Sequence, residues 1–314
     1  MTRISTTDTI NRTGPAPDGA WERPQSRFRD HVTADGSSGY PAVSGRYHLY
    51  VSLACPWAHR TIIVRMLKRL EDAIGLTVVD PLRDERGWAF TGAPGSELDP
   101  LHGFDFLSQV YDLMEQGPHH VSVPVLFDRE TNRIVNNESS EIIRMLGSEF
   151  DAFTDVRLDL YPEALRDEID ELEGEVYTNV NDGVYKCGFA RSQAAYEQAV
   201  RALFGTLDRL ESRLADNRYL HGDRITEADW RLFTTLVRFD PVYHTHFKCN
   251  LRLIADYPNL LGFARDLYQV PGVAKTVDLD QIKRHYYMTH ARLNPLRIVA
   301  ASNGPDLSAP HGRG

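Results

Sequence analysis

Cysteine is scarce in this chain: Cys55, Cys187 and Cys249 are few, odd in number and far apart. That excludes a disulfide framework and suits a reducing, cytoplasmic compartment. The Asn-x-Ser/Thr matches at Asn11 and Asn137 are then chance. No run of about 20 apolar residues exists, so no membrane-spanning helix and no membrane partner is expected. The polar N-terminus has no apolar segment after it, which argues against a secretory leader. Positive charge is in deficit, 35 Lys and Arg against 44 Asp and Glu, and the net charge of −9 argues against nucleic-acid binding. His244 and His246 form a His-x-His pair, but only Cys249 accompanies it, so no metal is expected. What is present is ordinary for a globular protein: 314 residues, 42% hydrophobic and 25% charged, with room for about two domains.

The chain is organised around Tyr47 to Arg60. Tyr47–Ser52 is rich in aromatic, aliphatic and β-branched residues and reads as a strand. Cys55 immediately precedes Pro56, and Ile62, Ile63, Met66, Leu67, Leu70 and Ile74 follow at helical spacing. Proline is favoured at a first helical position, so Cys55 falls at a helix N-terminus, where free N–H groups and the macrodipole stabilise a thiolate. A lone cysteine is ordinarily a small buried hydrophobe; strand, Cys-Pro and helix together read instead as the way thioredoxin-like folds present a reactive sulfur. Position 58 is Ala, so no neighbouring thiol can resolve a mixed disulfide on Cys55.

Around this stretch we read an irregular arm at 1–45, packed through Trp21 and Phe28 and mobile before them, and an α/β domain at 46–150. Strand, helix and strand at 47–52, 56–74 and 76–80 make a βαβ unit. An insertion at 81–120, with Trp88, Phe90 and Tyr111, is long enough to be functional and is expected to cover the site. Val121–Phe127 is a strand interrupted by Pro124, which is tolerated if the Val123–Pro124 bond is cis and the Val123 backbone is free to meet a peptide-like ligand. Arg133–Val135 is its partner strand. Glu138-Ser139 opens a helix whose N-terminus suits a carboxylate. From about 160 to 295 the signals are all helical, including a capping box at Thr226–Asp229. The acidic run Asp167–Glu175 reads as a solvated helix face, and the 296–314 tail as disordered.

These features together resemble glutathione transferases, as do Ile225-Thr-Glu-Ala-Asp229 and the Tyr257-Pro-Asn-Leu and Pro271-Gly-Val-Ala runs. Ser52–Arg60, Asn136–Ser140, Gly183–Ala190 and the arm's Arg23-Pro-Gln-Ser-Arg-Phe-Arg29 resemble the xi class, the glutathionyl-hydroquinone reductases. The resemblance implies α/β plus all-α architecture: an N-terminal thioredoxin-like domain followed by an all-helical glutathione-transferase C-terminal domain, and a homodimer. It implies glutathione as co-substrate and aromatic glutathionyl conjugates as partners. Cys55 would attack the glutathione sulfur, Tyr185 would donate a proton, and Tyr243 and Tyr286 would lower the cysteine pKa. Glutathione would be held by Trp88, by His120, Val121, Ser122 and Val123, and by Glu138 and Ser139. One departure stands out: His120 replaces an expected anchoring Arg, with His119 or Arg86 as substitutes. Two other readings remain open, an omega-like thiol transferase or dehydroascorbate reductase, and a non-catalytic binding domain.

Overall fold

The structure, a computed structural model, describes residues 16, 18–114 and 120–313. His119, Asn11 and most of the arm before Trp21 lie outside the described residues.

Strand β1 (Tyr47–Val51) is buried along its whole length and sits inside a four-stranded sheet. Helix α1 (Pro56–Leu67) follows it, and β2 (Ile74–Val78) pairs with β1 in parallel, Tyr47 opposite Ile74. On the other side β5 (Val125–Asp128) runs antiparallel to β1, and β6 (Arg133–Asn136) antiparallel to β5, giving the order β2-β1-β5-β6. The Val123–Pro124 bond is cis, and the proline lies just before β5 rather than inside it.

Between β2 and β5 the insertion forms a hairpin of β3 (Arg83–Asp84) and β4 (Gly87–Trp88) and a short helix α2 (Leu107–Asp112). Its chain is tied inward by Asp99, which accepts from the Tyr50 hydroxyl (2.9 Å) and from the Leu101 N–H (3.1 Å). Helix α3 (Ser139–Ser148) begins where expected, with Glu138 as N-cap.

The rest is helical: α4 (Arg166–Val176), a wide turn at Tyr177–Asn181, α5 (Gly183–Phe189), α6 (Gln193–Asp216) and α7 (Glu227–Arg238). After a second wide turn at Phe239–Tyr243 come the single turn α8 (His244–His246), α9 (Pro258–Tyr268) and α10 (Leu279–Thr289). Every residue of α7 is buried, which fits its place at the centre of the helices and against α1. Its start is held as the sequence indicates: the Asp229 carboxylate accepts from the Thr226 N–H (2.7 Å) and also from the Leu220 N–H (2.8 Å).

Two expectations are corrected. The acidic face of α4 is not wholly solvated, since Glu173 is buried and ion-paired with Arg231 of α7. Composition shows charge but not the partner that makes its burial tolerable. The tail is not loose either. Arg313 donates to the carbonyls of Leu214 (2.7 Å) and Arg218 (3.1 Å), Lys283 to Ala301 (3.0 Å), and Arg265 to Asp306 (2.9 Å). Helix side chains satisfy its backbone without regular structure, so no periodicity announces the packing. Among the described residues no helix is long and apolar enough to cross a membrane.

Candidate active site

Cys55 is the N-cap of α1, in extended conformation, with Pro56 as the first helical residue. The loop ahead of it is pinned from the far end of α7: buried Arg238 donates to the carbonyls of Leu53 and Ala54, both at 2.9 Å. A third bond from Arg238, 3.1 Å to His59 Nδ1, makes that nitrogen the acceptor, so Nε2–H donates to Thr276 Oγ1 (2.7 Å). The Cys55 thiol itself donates to the Val123 carbonyl at 3.5 Å. Burial pushes this thiol above its ordinary value; the Ala58 N–H, the Arg238 charge, the Trp57 N–H and the Arg23 charge draw it back. The helix start therefore acts in the expected direction, but desolvation outweighs it.

Two adjoining cavities lie at this end of the sheet, and Cys55 lines the second of them. The first, about 580 Å³, is bounded by Arg23–Phe28 of the arm, by His120, Ser122, Val123 and Pro124, and by Asn137, Glu138 and Ser139 at the start of α3. The second, about 680 Å³, holds Cys55 itself with Trp21, Trp88, Val121, Tyr185, Phe189, His285, Tyr286 and His290. Arg23, Pro24, Trp57, His120, Ser122 and Val123 line both. In the first cavity Glu138 accepts from the Ser140 N–H (3.2 Å) and from the arm's Ser26 hydroxyl (3.0 Å), while Arg60 donates to Ser139 Oγ (3.4 Å).

The three tyrosines form a hydroxyl chain: Tyr185 to Tyr286 at 2.7 Å and Tyr286 to Tyr243 at 2.9 Å. Tyr185 and Tyr286 line the second cavity; Tyr243 is fully buried behind them and lines neither. Among the hydrogen bonds of the described residues, the Tyr243 and Tyr286 hydroxyls bond within this chain, and the Cys55 sulfur bonds to the Val123 carbonyl. Burial raises the Tyr185 hydroxyl above its ordinary value, Arg23 lowers it, and the neighbouring Cys55 raises it. The placement of Tyr185 depends on Gly188 one turn on, whose missing Cβ lets Phe247 pack directly against α5.

Residues 54–149 match the family model for the glutathione S-transferase N-terminal domain, and residues 193–266 that for the C-terminal domain. The glutathionyl-hydroquinone reductase YqjG of Escherichia coli (strain K12) is 52% identical, with 94% of this chain and 92% of that protein covered. The glutathionyl-hydroquinone reductase PcpF of Sphingobium chlorophenolicum is 48% identical over 93% of this chain and 92% of its own. The chain belongs to the glutathionyl-hydroquinone reductases, the xi class of glutathione transferases. Solved structures agree. The xi-class enzyme from Natrialba magadii superposes with a TM-score of 0.88 at 51% identity, covering 91% of this chain and 88% of that one. The glutathione-bound structure of YqjG also gives 0.88, at 52% identity, covering 94% and 98%.

Of the two substitutes for the expected Arg, His119 lies outside the described residues. Arg86 is exposed, paired with Asp84 at 2.6 Å in the β3–β4 turn, and lines neither cavity. His120 lines both cavities. The expected cover from the insertion is partial: Trp88 forms cavity wall, stacked on His285 of α10 with centroids 4.8 Å apart. His285 in turn donates through Nδ1 to the Pro81 carbonyl (2.7 Å).

Several site residues escape a reading of the sequence. Arg23 lies in the quoted arm motif but has no role there. Trp57 sits in the Cys55 motif, and Arg60 stacks over it at 4.5 Å. His290, Phe189 and Arg238 arrive from distant elements and leave no local signal. Of the His-x-His pair, His246 turns to His290 (3.1 Å between ring nitrogens) rather than towards Cys249. Asp170, Glu173 and Glu227 also gather, but around Arg144 and Arg231, as an ion-pair knot.

Proposed function

We propose that the chain reduces glutathionyl-hydroquinones to hydroquinones through a Cys55–glutathione mixed disulfide, releasing oxidised glutathione. The observation that carries this reading is one cysteine in an aromatic-walled pocket with a tyrosine hydroxyl, beside a polar cleft that shares the walls Arg23, Trp57, His120, Ser122 and Val123.

The glutathionyl part occupies the first cavity. Glu138 faces the γ-glutamyl ammonium, and Ser139 with the α3 N-terminus faces its carboxylate. The Val123 backbone pairs with the peptide, flanked by His120, Val121 and Ser122, while Trp88 bounds the thioether side. Occupying the Val123 carbonyl competes for the acceptor that the thiol now uses. The sulfur is then left facing only donors, the Trp57 and Ala58 N–H groups and the charges of Arg238 and Arg23, which favours the thiolate.

The Cys55 thiolate attacks the glutathione sulfur and the sulfur–carbon bond breaks. The electron pair passes to the ring, which takes a proton from Tyr185 and leaves as hydroquinone. Tyr286 and Tyr243 back that hydroxyl and keep it oriented. A second glutathione thiolate attacks the glutathione sulfur of the mixed disulfide, giving oxidised glutathione and restoring the Cys55 thiolate. The absence of a nearby second cysteine favours this external resolution. The reading includes a cytoplasmic setting, supported by three unpaired cysteines, and a homodimer.

The test is turnover of a glutathionyl-hydroquinone with excess glutathione, following both products chromatographically. Hydroquinone and oxidised glutathione in equal amounts, lost in Cys55→Ala, are expected. No cleavage alongside brisk reduction of a small mixed disulfide would replace this reading with the thiol transferase.

A further inference from the structure

We propose that Arg23 is a catalytic residue of the first half-reaction: its guanidinium donates to the ring oxygen of the departing hydroquinone, where negative charge collects as the carbon–sulfur bond breaks. This rests on the reductase reading above.

Arg23 leaves most of its hydrogen-bonding capacity unused. A guanidinium carries five N–H donors. Arg23 spends one, from Nε to Asp182 at 2.6 Å. Among the described residues neither Nη nitrogen has a hydrogen-bond partner, and Nη2 is buried. By contrast Arg238, also buried, directs its donors at four acceptors, Leu53 O, Ala54 O, Thr234 O and His59 Nδ1. Desolvated donors left without acceptors are costly unless a ligand supplies them.

The place of the unspent donors identifies that ligand. The Arg23 guanidinium carbon lies 4.4 Å from the Tyr185 ring centroid and 4.7 Å from that of Trp57. Those two centroids are 6.4 Å apart, so the cation sits in the angle between the rings, drawn to both by cation–π attraction. Asp182 immediately precedes α5, the helix that carries Tyr185, so the ion pair and the tyrosine move as one unit. Arg23 and Arg83 line the second cavity with Cys55, and no carboxylate is among the described residues lining it. The local field therefore favours an anion.

The reaction makes one there. In the keto tautomer of the conjugate, the carbon bearing sulfur lies next to a carbonyl. When Cys55 takes the glutathione sulfur, the electron pair of the broken bond moves through the ring onto that carbonyl oxygen, giving a phenolate. Arg23 stabilises this oxygen; Tyr185 gives its proton to the carbon and takes the proton of the ring hydroxyl as the keto tautomer forms, then returns a proton to the phenolate as hydroquinone leaves, so charge and proton are handled by adjacent groups. Donors set in advance at a developing oxyanion are worth more than the same donors in water.

An alternative for Arg23 is to hold a glutathione carboxylate, since it also borders the first cavity. A leaving-group series separates the two. Glutathionyl-hydroquinones with increasing ring chlorination have intrinsically better phenolate leaving groups and need the arginine less. Arg23→Met is expected to lower kcat about 10²–10³-fold on the unsubstituted conjugate, with a loss that shrinks steadily along the chlorinated series and little change in KM for glutathione. Arg23→Lys, keeping the charge but not the fork, should fall between wild type and Met at every member. An equal loss across the series, a rise confined to KM, or unchanged kcat in either variant would overturn the proposal. Wild-type protein that cleaves no member would instead overturn the reductase reading, so the two failures are distinguishable.

Discussion

A thiol at a helix N-terminus is usually argued to be a thiolate. Cys55 shows why that argument needs the whole environment, because burial alone outweighs the helix start. Alkylation of Cys55 by iodoacetamide should therefore rise with pH through a midpoint above the ordinary thiol value of about 8.5. A non-reactive S-alkyl glutathione displaces the thiol from the Val123 carbonyl, so in a Cys187→Ala/Cys249→Ala background it should move that midpoint downward while shielding the sulfur sterically. The midpoint rather than the rate is the readout. Among the tyrosines, only hydroxyls that line the cavity can give a proton directly. Tyr185→Phe should lower kcat about 10²–10⁴-fold. Tyr243→Phe, which removes a hydroxyl lining neither cavity, should cost clearly less, as steady-state kinetics on one conjugate would show.

At the scale of elements, what holds the site is a set of long-range polar contacts, and these are what the sequence leaves unreadable. The α1 start, the Val123-Pro124 pair, the Glu138 cap and the Thr226–Asp229 box are local patterns, and each appears in the structure where its residues lie. Arg238 reaches carbonyls 184 and 185 positions earlier, and Arg23 reaches Asp182 across 159; no spacing rule connects such pairs. Tyr185, Tyr243 and Tyr286 were legible only through resemblance to a family, since a hydroxyl chain joining α5, a turn and α10 has no periodicity. The buried pair of Arg46 with Asp128 (2.8 and 2.7 Å) is another such contact, joining the start of β1 to the end of β5. Burial raises the Asp128 carboxyl, but Arg46, Thr131 and the Glu130 N–H outweigh it and hold the group below its ordinary value. Its contribution is thus present above the unfolded value of about 3.9 and lost as pH falls through the lower folded value. Asp128→Asn should destabilise by about 3 kcal/mol at neutral pH, the low end for a broken buried pair because Glu130 still faces Arg46. In denaturant titrations the gap to wild type should close below about pH 4.

For the molecule as a whole, the arm and the tail do more than their composition indicates. The arm runs beside β6, with the Asp30 N–H on the Val135 carbonyl and the Asn137 N–H on the Phe28 carbonyl, both at 3.0 Å, and it walls both cavities. A chain beginning at Asp30 should keep its helical circular dichroism yet lose roughly 10²-fold in kcat/KM, the scale of a misplaced substrate. An undiminished kcat/KM would show that the arm is not part of the working site. The central claim is that one sulfur accepts the glutathionyl group, and single turnover tests it most directly. Mixed with less than one equivalent of glutathionyl-hydroquinone and no free glutathione, the protein should release hydroquinone in proportion and gain one glutathionyl group, mapped to Cys55 by peptide mass. Hydroquinone released without an adduct, or an adduct carried by Cys187 or Cys249, would contradict the account.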